Sequence, residues 1–442
     1  MLGNNIAQQF HKKERLESMK KLLLLVLIFL MVATGCSEST VSTISDPSHT
    51  ALPAEQELWN FPNLRLCTEQ SLEGLYQIES LRQGSCNILY LDYASAQMFP
   101  LCDVPNCDHA SETCTSYIAL HENQMPPMVL TNGDHIFIMT HGASETQNAS
   151  IQIADKSGKN RHTLFEASSG ESLGAALYTD SQAVYFEVFS TEEIDGDLKQ
   201  VDSLIQVNLN TEKVQVLAKL YDQVIYGEFN DGFLVNHYEE SSNGVVTVGY
   251  YRLNIPKNGD PFWLDSSPVY QSDKDSGSYI MNNRICVYHY DTNIFSVTEG
   301  ESGETREVDC SGLVSEYKWG TGREPSVSEL SGDYYRLEVP YQDENGNFPT
   351  KKYVIDLASG TISPLFTLQI ESVGGKNVAL MGEYQDQFCV VYDYVDKAIT
   401  YNGESGLETG VISIPQYAMM QKSDYFQSVP NYKPVQDFGI TW

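Results

Sequence analysis

A strand-and-hairpin unit that recurs every fifty or so residues predicts an all-β chain, a β-propeller of seven four-stranded blades. Two further observations agree. Helical periodicity is almost absent from Leu58 onward, and Tyr, Thr, Val and Ile are plentiful, with 27 tyrosines in 442 residues. The spacing also allows six or eight blades. A pair of β-sandwiches or a β-helix is the competing architecture.

One half of the unit is a buried strand that opens after a polar turn. It appears as EGLYQIE (Glu73–Glu79), DHIFIMTH (Asp134–His141), QAVYFEVF (Gln182–Phe189) and DGFLVNHY (Asp231–Tyr238). It returns as NRICVYHY (Asn283–Tyr290), GDYYRLEVPY (Gly332–Tyr341) and DQFCVVYDY (Asp386–Tyr394). The other half is a hairpin whose turn uses Asp, Asn, Gly and Ser, residues that tolerate positive φ. The hairpins run over 88–102, 151–165, 204–217, 250–264, 294–309 and 353–366, with a weaker seventh near 401. The mean step is about 51 residues, close to a kelch-like period. A lone four-stranded sheet has two apolar faces, and radial stacking covers both.

The chain begins with an export pattern. Residues 1–35 read as a lipoprotein signal, of which 1–18 read as an upstream extension before the true start at Met19. Lys20 and Lys21 form a basic n-region, and Leu22–Ala33 is an unbroken apolar run, too short to span a bilayer comfortably. Thr34 and Gly35 lead into Cys36, the expected site of diacylation. Two acyl chains suffice for stable anchoring. Residues 36–57 are rich in Ser, Thr and Pro and read as a tether with a reach on the order of 25 Å. Residues 58–442 then form the propeller. The expected location is the outer face of the cytoplasmic membrane of a Gram-positive cell.

Charge narrows the partners. The chain carries 27 Lys and Arg against 59 Asp and Glu. Removing the signal takes away five basic and two acidic residues, leaving 22 against 57, a net charge near -35. Such a surface repels phosphate backbones, so nucleic acid is excluded. The membrane is reached through the lipid, and the ligand expected of the propeller is a protein, peptide or glycan.

One loop carries chemistry. LCDVPNCDHASETC holds Cys102, Cys107, His109 and Cys114, three thiols and an imidazole within thirteen residues. That is a tetrahedral donor set of the type zinc prefers. The loop is expected between blades one and two. His109 lies only two residues from Cys107, which strains joint coordination. The alternative is disulfides: lipidation of Cys36 leaves an even eight, namely Cys67, Cys86, Cys102, Cys107, Cys114, Cys286, Cys310 and Cys389. One cluster cysteine would then need Cys67 or Cys86. Cys286 and Cys389 sit in apolar strands and read as buried free thiols.

A hairpin ending in Pro-Leu-Cys followed by C-x4-C-x-H-x4-C resembles an uncharacterised group of surface lipoproteins from clostridial-type Gram-positive bacteria. The closing segment KSDYFQSVPNYKPV (Lys422–Val435) is similar to their C-terminal ends. The resemblance implies a cell-surface propeller lipoprotein and supplies no activity.

There is no G-x-S-x-G elbow, H-E-x-x-H, Walker loop or Rossmann glycine fingerprint. DENGNF (Asp343–Phe348) reads as a hairpin turn rather than a calcium loop. His135, His141, His237 and His289 fall on or beside buried strands, where they are structural or line a central channel. The expectation is a non-enzymatic binding module. The alternatives are a metal-binding lipoprotein using the Cys/His loop, or a propeller hydrolase or lyase with an acidic central pocket.

Overall fold

In the computed structural model the seven predicted buried strands all form, and each builds a separate blade. The structure describes residues 57–438 apart from 83, 121–124, 142–147, 195, 222, 241–245, 273–275, 315–323, 344, 366–367, 371, 373–375 and 404–405. The export signal, Cys36 and nearly all of the tether lie outside these residues.

Blade 2 shows the unit in its plain form. Met128–Thr131, His135–Thr140, Ser150–Asp155 and His162–Glu166 pair antiparallel in that order. Blade 3 repeats it from Ser172 to Leu220, blade 5 from Ser276 to Asp309 and blade 6 from Ser326 to Pro364. Blade 4 follows the same path, but its outer edge is in two pieces, Trp263–Leu264 and Tyr270–Ser272. The fold is a seven-bladed β-propeller. Asp343–Phe348 does close a hairpin: Asp343 Oδ1 accepts the Asn347 N–H at 2.8 Å, between the strands Tyr334–Pro340 and Thr350–Asp356.

The weak seventh hairpin is a correction. Position 401 lies inside Gln387–Gly403, which pairs with Gly406–Gln421 as the second and third strands of blade 7. These strands, 17 and 16 residues long, overrun the usual unit, so the turn near 401 joins the wrong pair for the template. The outer strand is the short Lys433–Pro434.

Apolar layers sit between blades, as radial stacking requires. Phe137, Ile151, Val184 and Phe186 fill the space between blades 2 and 3. Tyr335, Leu337, Phe295 and Val297 do so between blades 5 and 6. Leu75, Leu91, Phe388 and Met419 join blade 7 to blade 1. The strand alternation makes this possible, since residues i and i+2 face the same neighbour.

The two chain ends join blades in different ways. Residues 57–70 cross from blade 4 to blade 1. The Trp59 N–H donates to Ile255 O at 2.8 Å, and Arg65–Leu66 pairs with Tyr178–Thr179 of blade 3. Thr131 N–H of blade 2 donates to Thr68 O, and Gln70 bridges Leu75 of blade 1. Phe61, 2% exposed, packs edge-on to Tyr185 and Phe233 and so pins this strap over blades 3 and 4. At the other end, Lys433–Pro434 pairs with blade 7, and Gln436–Asp437 pairs parallel with Gln97–Met98 of blade 1. The ring is therefore latched on its outer rim by the last described residues.

One buried acid makes stability depend on pH. Glu187 is 6% exposed between blades 3 and 4 and accepts the Ile225 N–H at 3.2 Å. Burial pushes its carboxyl up to about 7, the Ile225 N–H opposes this, and Asp202 adds to it. The folded state therefore holds the proton more tightly than the unfolded chain. Stability from this group is full below about pH 4.5 and is lost as pH rises through about 7. Glu187→Gln is expected to gain up to about 3 kcal/mol over the parent at pH 8, and nothing at pH 4.5. Urea unfolding across that range measures it, and a gain independent of pH would refute the assignment.

Candidate metal centre

The Cys/His loop is placed by a single residue of blade 1. Ser85–Asp92 is the strand that carries it. Its outer partner comes in two pieces, Gln97–Pro100 and Tyr117–Ala119. At the break, the Ile88 carbonyl accepts the Leu101 N–H and the Ile88 N–H donates to the Ser116 carbonyl, both at 2.8 Å. The chain leaves and re-enters the strand opposite one residue. The loop is thus an excursion from within blade 1, not the expected connection between blades one and two. After it, Tyr117–Ala119 still pairs with blade 1 before the chain passes on.

Within the loop, Cys102, Cys107, His109 and Cys114 come together, with one ligand atom from each lying within 4.8 Å of all the others. Cys114 is buried and the other three are half-buried. The close spacing of Cys107 and His109 is resolved by backbone conformation. Asn106 and His109 adopt left-handed φ of 57° and 51°, which fold the chain back on itself. His109 then donates its N–H to Cys107 Sγ at 3.4 Å, while its Nδ1 lies 3.2 Å from Cys114 Sγ. Short turns, Cys107 N–H to Val104 O and Cys114 N–H to Ser111 O, complete the fold of the loop.

The eight cysteines among the described residues are all free thiols. Cys67 and Cys86, the expected outside partners for a disulfide, are instead buried strand or strap residues whose thiols burial pushes up to about 12. Cys286 and Cys389 are buried free thiols, 1% and 0% exposed. Cys102, Cys107 and Cys114 of the loop form one cluster with His109, and that cluster is what the geometry presents.

The donors fit a tetrahedral zinc ion. Zn–S bonds of about 2.3 Å place neighbouring sulfurs about 3.8 Å apart, so the set needs to contract by about 1 Å at most. Four protein donors would leave a bound ion no open position, the pattern of a structural rather than a catalytic site. The loop is also prepared for a thiolate. Burial alone would raise the Cys114 thiol, but hydrogen bonds with Ser116 and His109 outweigh it and bring the thiol down to about 6. At Cys107 the His109 N–H pulls down, yet desolvation and the neighbouring sulfurs leave the thiol raised. Both thiols would give up their protons on binding a metal ion.

A second layer of residues was not legible in the motif. Ser116 Oγ lies 3.1 Å from Cys114 Sγ and donates to Asn87 Oδ1 at 3.1 Å. Thr115 Oγ1 donates to Leu101 O at 2.6 Å and staples the two stems of the loop. From blade 2, Lys159 pairs with Asp103 at 2.6 Å and Arg161 donates to the carbonyls of Cys114 and Thr115. No sequence signal marks Arg161, which stands 47 residues beyond Cys114 and meets it only through blade stacking.

The four strand histidines do not converge with one another. His135 stands 6.4 Å from the Phe137 ring in blade 2, and His237 is edge-on to Tyr251 in blade 4. His141 is half-buried just beyond the second strand of blade 2. His289 Nε2 lies 3.4 Å from Ser296 Oγ, on the wall of a cleft of about 410 Å³ between blades 4 and 5. Glu228 of blade 4 is 3% exposed; burial raises its carboxyl, and the backbone of Asn283, Leu66 and Asn282, from blade 5 and the N-terminal strap, opposes this.

No protein-family model matches the chain, and a search of curated proteins finds no match. Solved structures are similar over most of the chain. The β-propeller domain of the Trilobed protease from Pyrococcus furiosus is 11% identical, with 86% of this chain and 99% of that chain covered and a TM-score of 0.41. The acylaminoacyl peptidase of Pyrococcus horikoshii is 10% identical over 85% of this chain and 52% of that one, with a TM-score of 0.41. An oligogalacturonate lyase from Vibrio parahaemolyticus is 9% identical over 82% and 99%, with a TM-score of 0.39. At that distance the likeness carries no activity to this chain.

Proposed function

We propose that this chain is a metal-holding propeller lipoprotein: a ring anchored through Cys36 that binds a protein, peptide or glycan outside the cell and keeps one zinc ion in the loop of blade 1. The convergence of Cys102, Cys107, His109 and Cys114, with all four donor atoms within 4.8 Å, carries the metal reading. The export pattern ending at Gly35-Cys36 and the acidic surface support the anchored, extracellular setting. The role of the ion follows from its place. It closes a loop that breaks the outer strand of blade 1 and touches blade 2, so it holds together the edge where those blades meet.

Purified full-length protein, analysed for metal by mass spectrometry and for reactive thiols, tests this. One zinc per chain with the cluster thiols protected until chelation is the expected result. Metal-free protein, or cluster cysteines already joined in disulfides, would end the reading.

A further inference from the structure

We propose that Arg161 is the counter-cation of the metal centre, resting on the zinc reading above. Three thiolates and a neutral imidazole around a divalent zinc ion leave one net negative charge. Cys114, the most buried of the ligands, is 1% exposed, so part of that charge sits out of water. A buried charge without a compensating partner is costly. Arg161 supplies the partner. Its Nη2 donates to Cys114 O at 3.4 Å and to Thr115 O at 3.2 Å, which holds the guanidinium against the backbone of the ligand itself.

The position is built rather than incidental. Asp155 Oδ1 accepts the Ser157 and Lys159 N–H groups at 2.9 and 3.0 Å and fixes the turn that precedes Arg161. Asn160 adopts a left-handed φ of 57° immediately before it. Gly158 lets that turn approach Leu101 and Thr115, where an added Cβ would lie 3.1 and 3.2 Å from them. Arg161 is half-buried, and among the described residues no carboxylate lies within ion-pair distance of it. In a chain with more than twice as many acids as bases, a desolvated guanidinium without a carboxylate is unusual. The neighbouring Lys159 takes Asp103 instead. The charge of Arg161 is therefore left for the thiolates.

Metal-free protein, as the parent, Arg161→Met and Arg161→Lys, would be titrated with cobalt and then displaced with zinc. Circular dichroism would confirm that each is folded. Arg161→Met is expected to bind zinc at least about tenfold more weakly, the scale of outer-layer substitutions at metal sites. Its cobalt-thiolate absorption should keep its shape, because the ligands are unchanged. Arg161→Lys should recover most of the affinity. Equal affinity in Arg161→Met would overturn the proposal. So would weak binding in both variants, which would mean that the guanidinium hydrogen bonds, not the charge, are what matter. A parent protein that takes up neither metal would remove the centre itself, a separate outcome.

Discussion

Stripping zinc from the purified protein with a chelator is expected to lower its melting temperature, and to leave Cys114→Ser, already metal-free, unchanged. The linkage sets the size. At free zinc a thousandfold above the dissociation constant, the metal contributes about 4 kcal/mol. That is a large share of a domain stability of roughly 5–15 kcal/mol. Loss should begin locally. Leu101 and Ser116 meet Ile88 at the base of the loop, and amide exchange at Leu101, Ile88 and Tyr117 should accelerate before that of blades 5 and 6. Thermal melts with and without chelator, paired with exchange, measure both parts. A melting temperature indifferent to chelator in the parent would count against a structural ion.

Deleting Lys433–Trp442 is expected to open the ring. The deletion removes the Val435 N–H bond to Tyr417 O, the Gln436 N–H bond to Ala96 O and the Phe438 N–H bond to Met98 O, along with the pairing of Lys433–Pro434. It also removes Val435 from the apolar layer between blades 7 and 1. At about 1 kcal/mol net per hydrogen bond, plus the lost burial, the cost is about 4 kcal/mol. Exchange should rise at Gln97–Pro100 and Tyr417–Met419, the two edges that the latch spans. A denaturant midpoint equal to the parent's would show that blade packing alone closes the ring. Substituting only Val435→Ala tests the packing share without altering the backbone.

What was legible in the sequence was what repeats. All seven buried strands were read from alternation bounded by polar turns, because each blade must bury both faces and so returns to the same pattern. The last hairpin was misplaced because the second and third strands of blade 7 run well past the usual length, and a turn of the right composition falls at their far end. The strap and the latch escaped notice for a different reason. Arg65–Leu66 and Gln436–Asp437 are two-residue pairings, too short to show any period. The donor types of the metal loop were readable, but its placement was not. That depends on Leu101 and Ser116 sharing Ile88, a fact of register. Arg161 and Ser116 belong to the centre only through the packing of blade 2 on blade 1.

The shared residue at the base of that loop has a consequence for how the protein is composed. Leu89 faces Pro100 and Asn87 faces Tyr117, so everything from Leu101 to Ser116 occupies a place that a single residue would fill in an unbroken strand. The strand keeps its phase on both sides. A cassette inserted in this way asks nothing of the blade except one peptide unit with both its hydrogen bonds intact. The donor cluster and the propeller architecture are then separable in register: with Leu101–Ser116 replaced by one residue, the outer strand of blade 1 would run unbroken past Ile88.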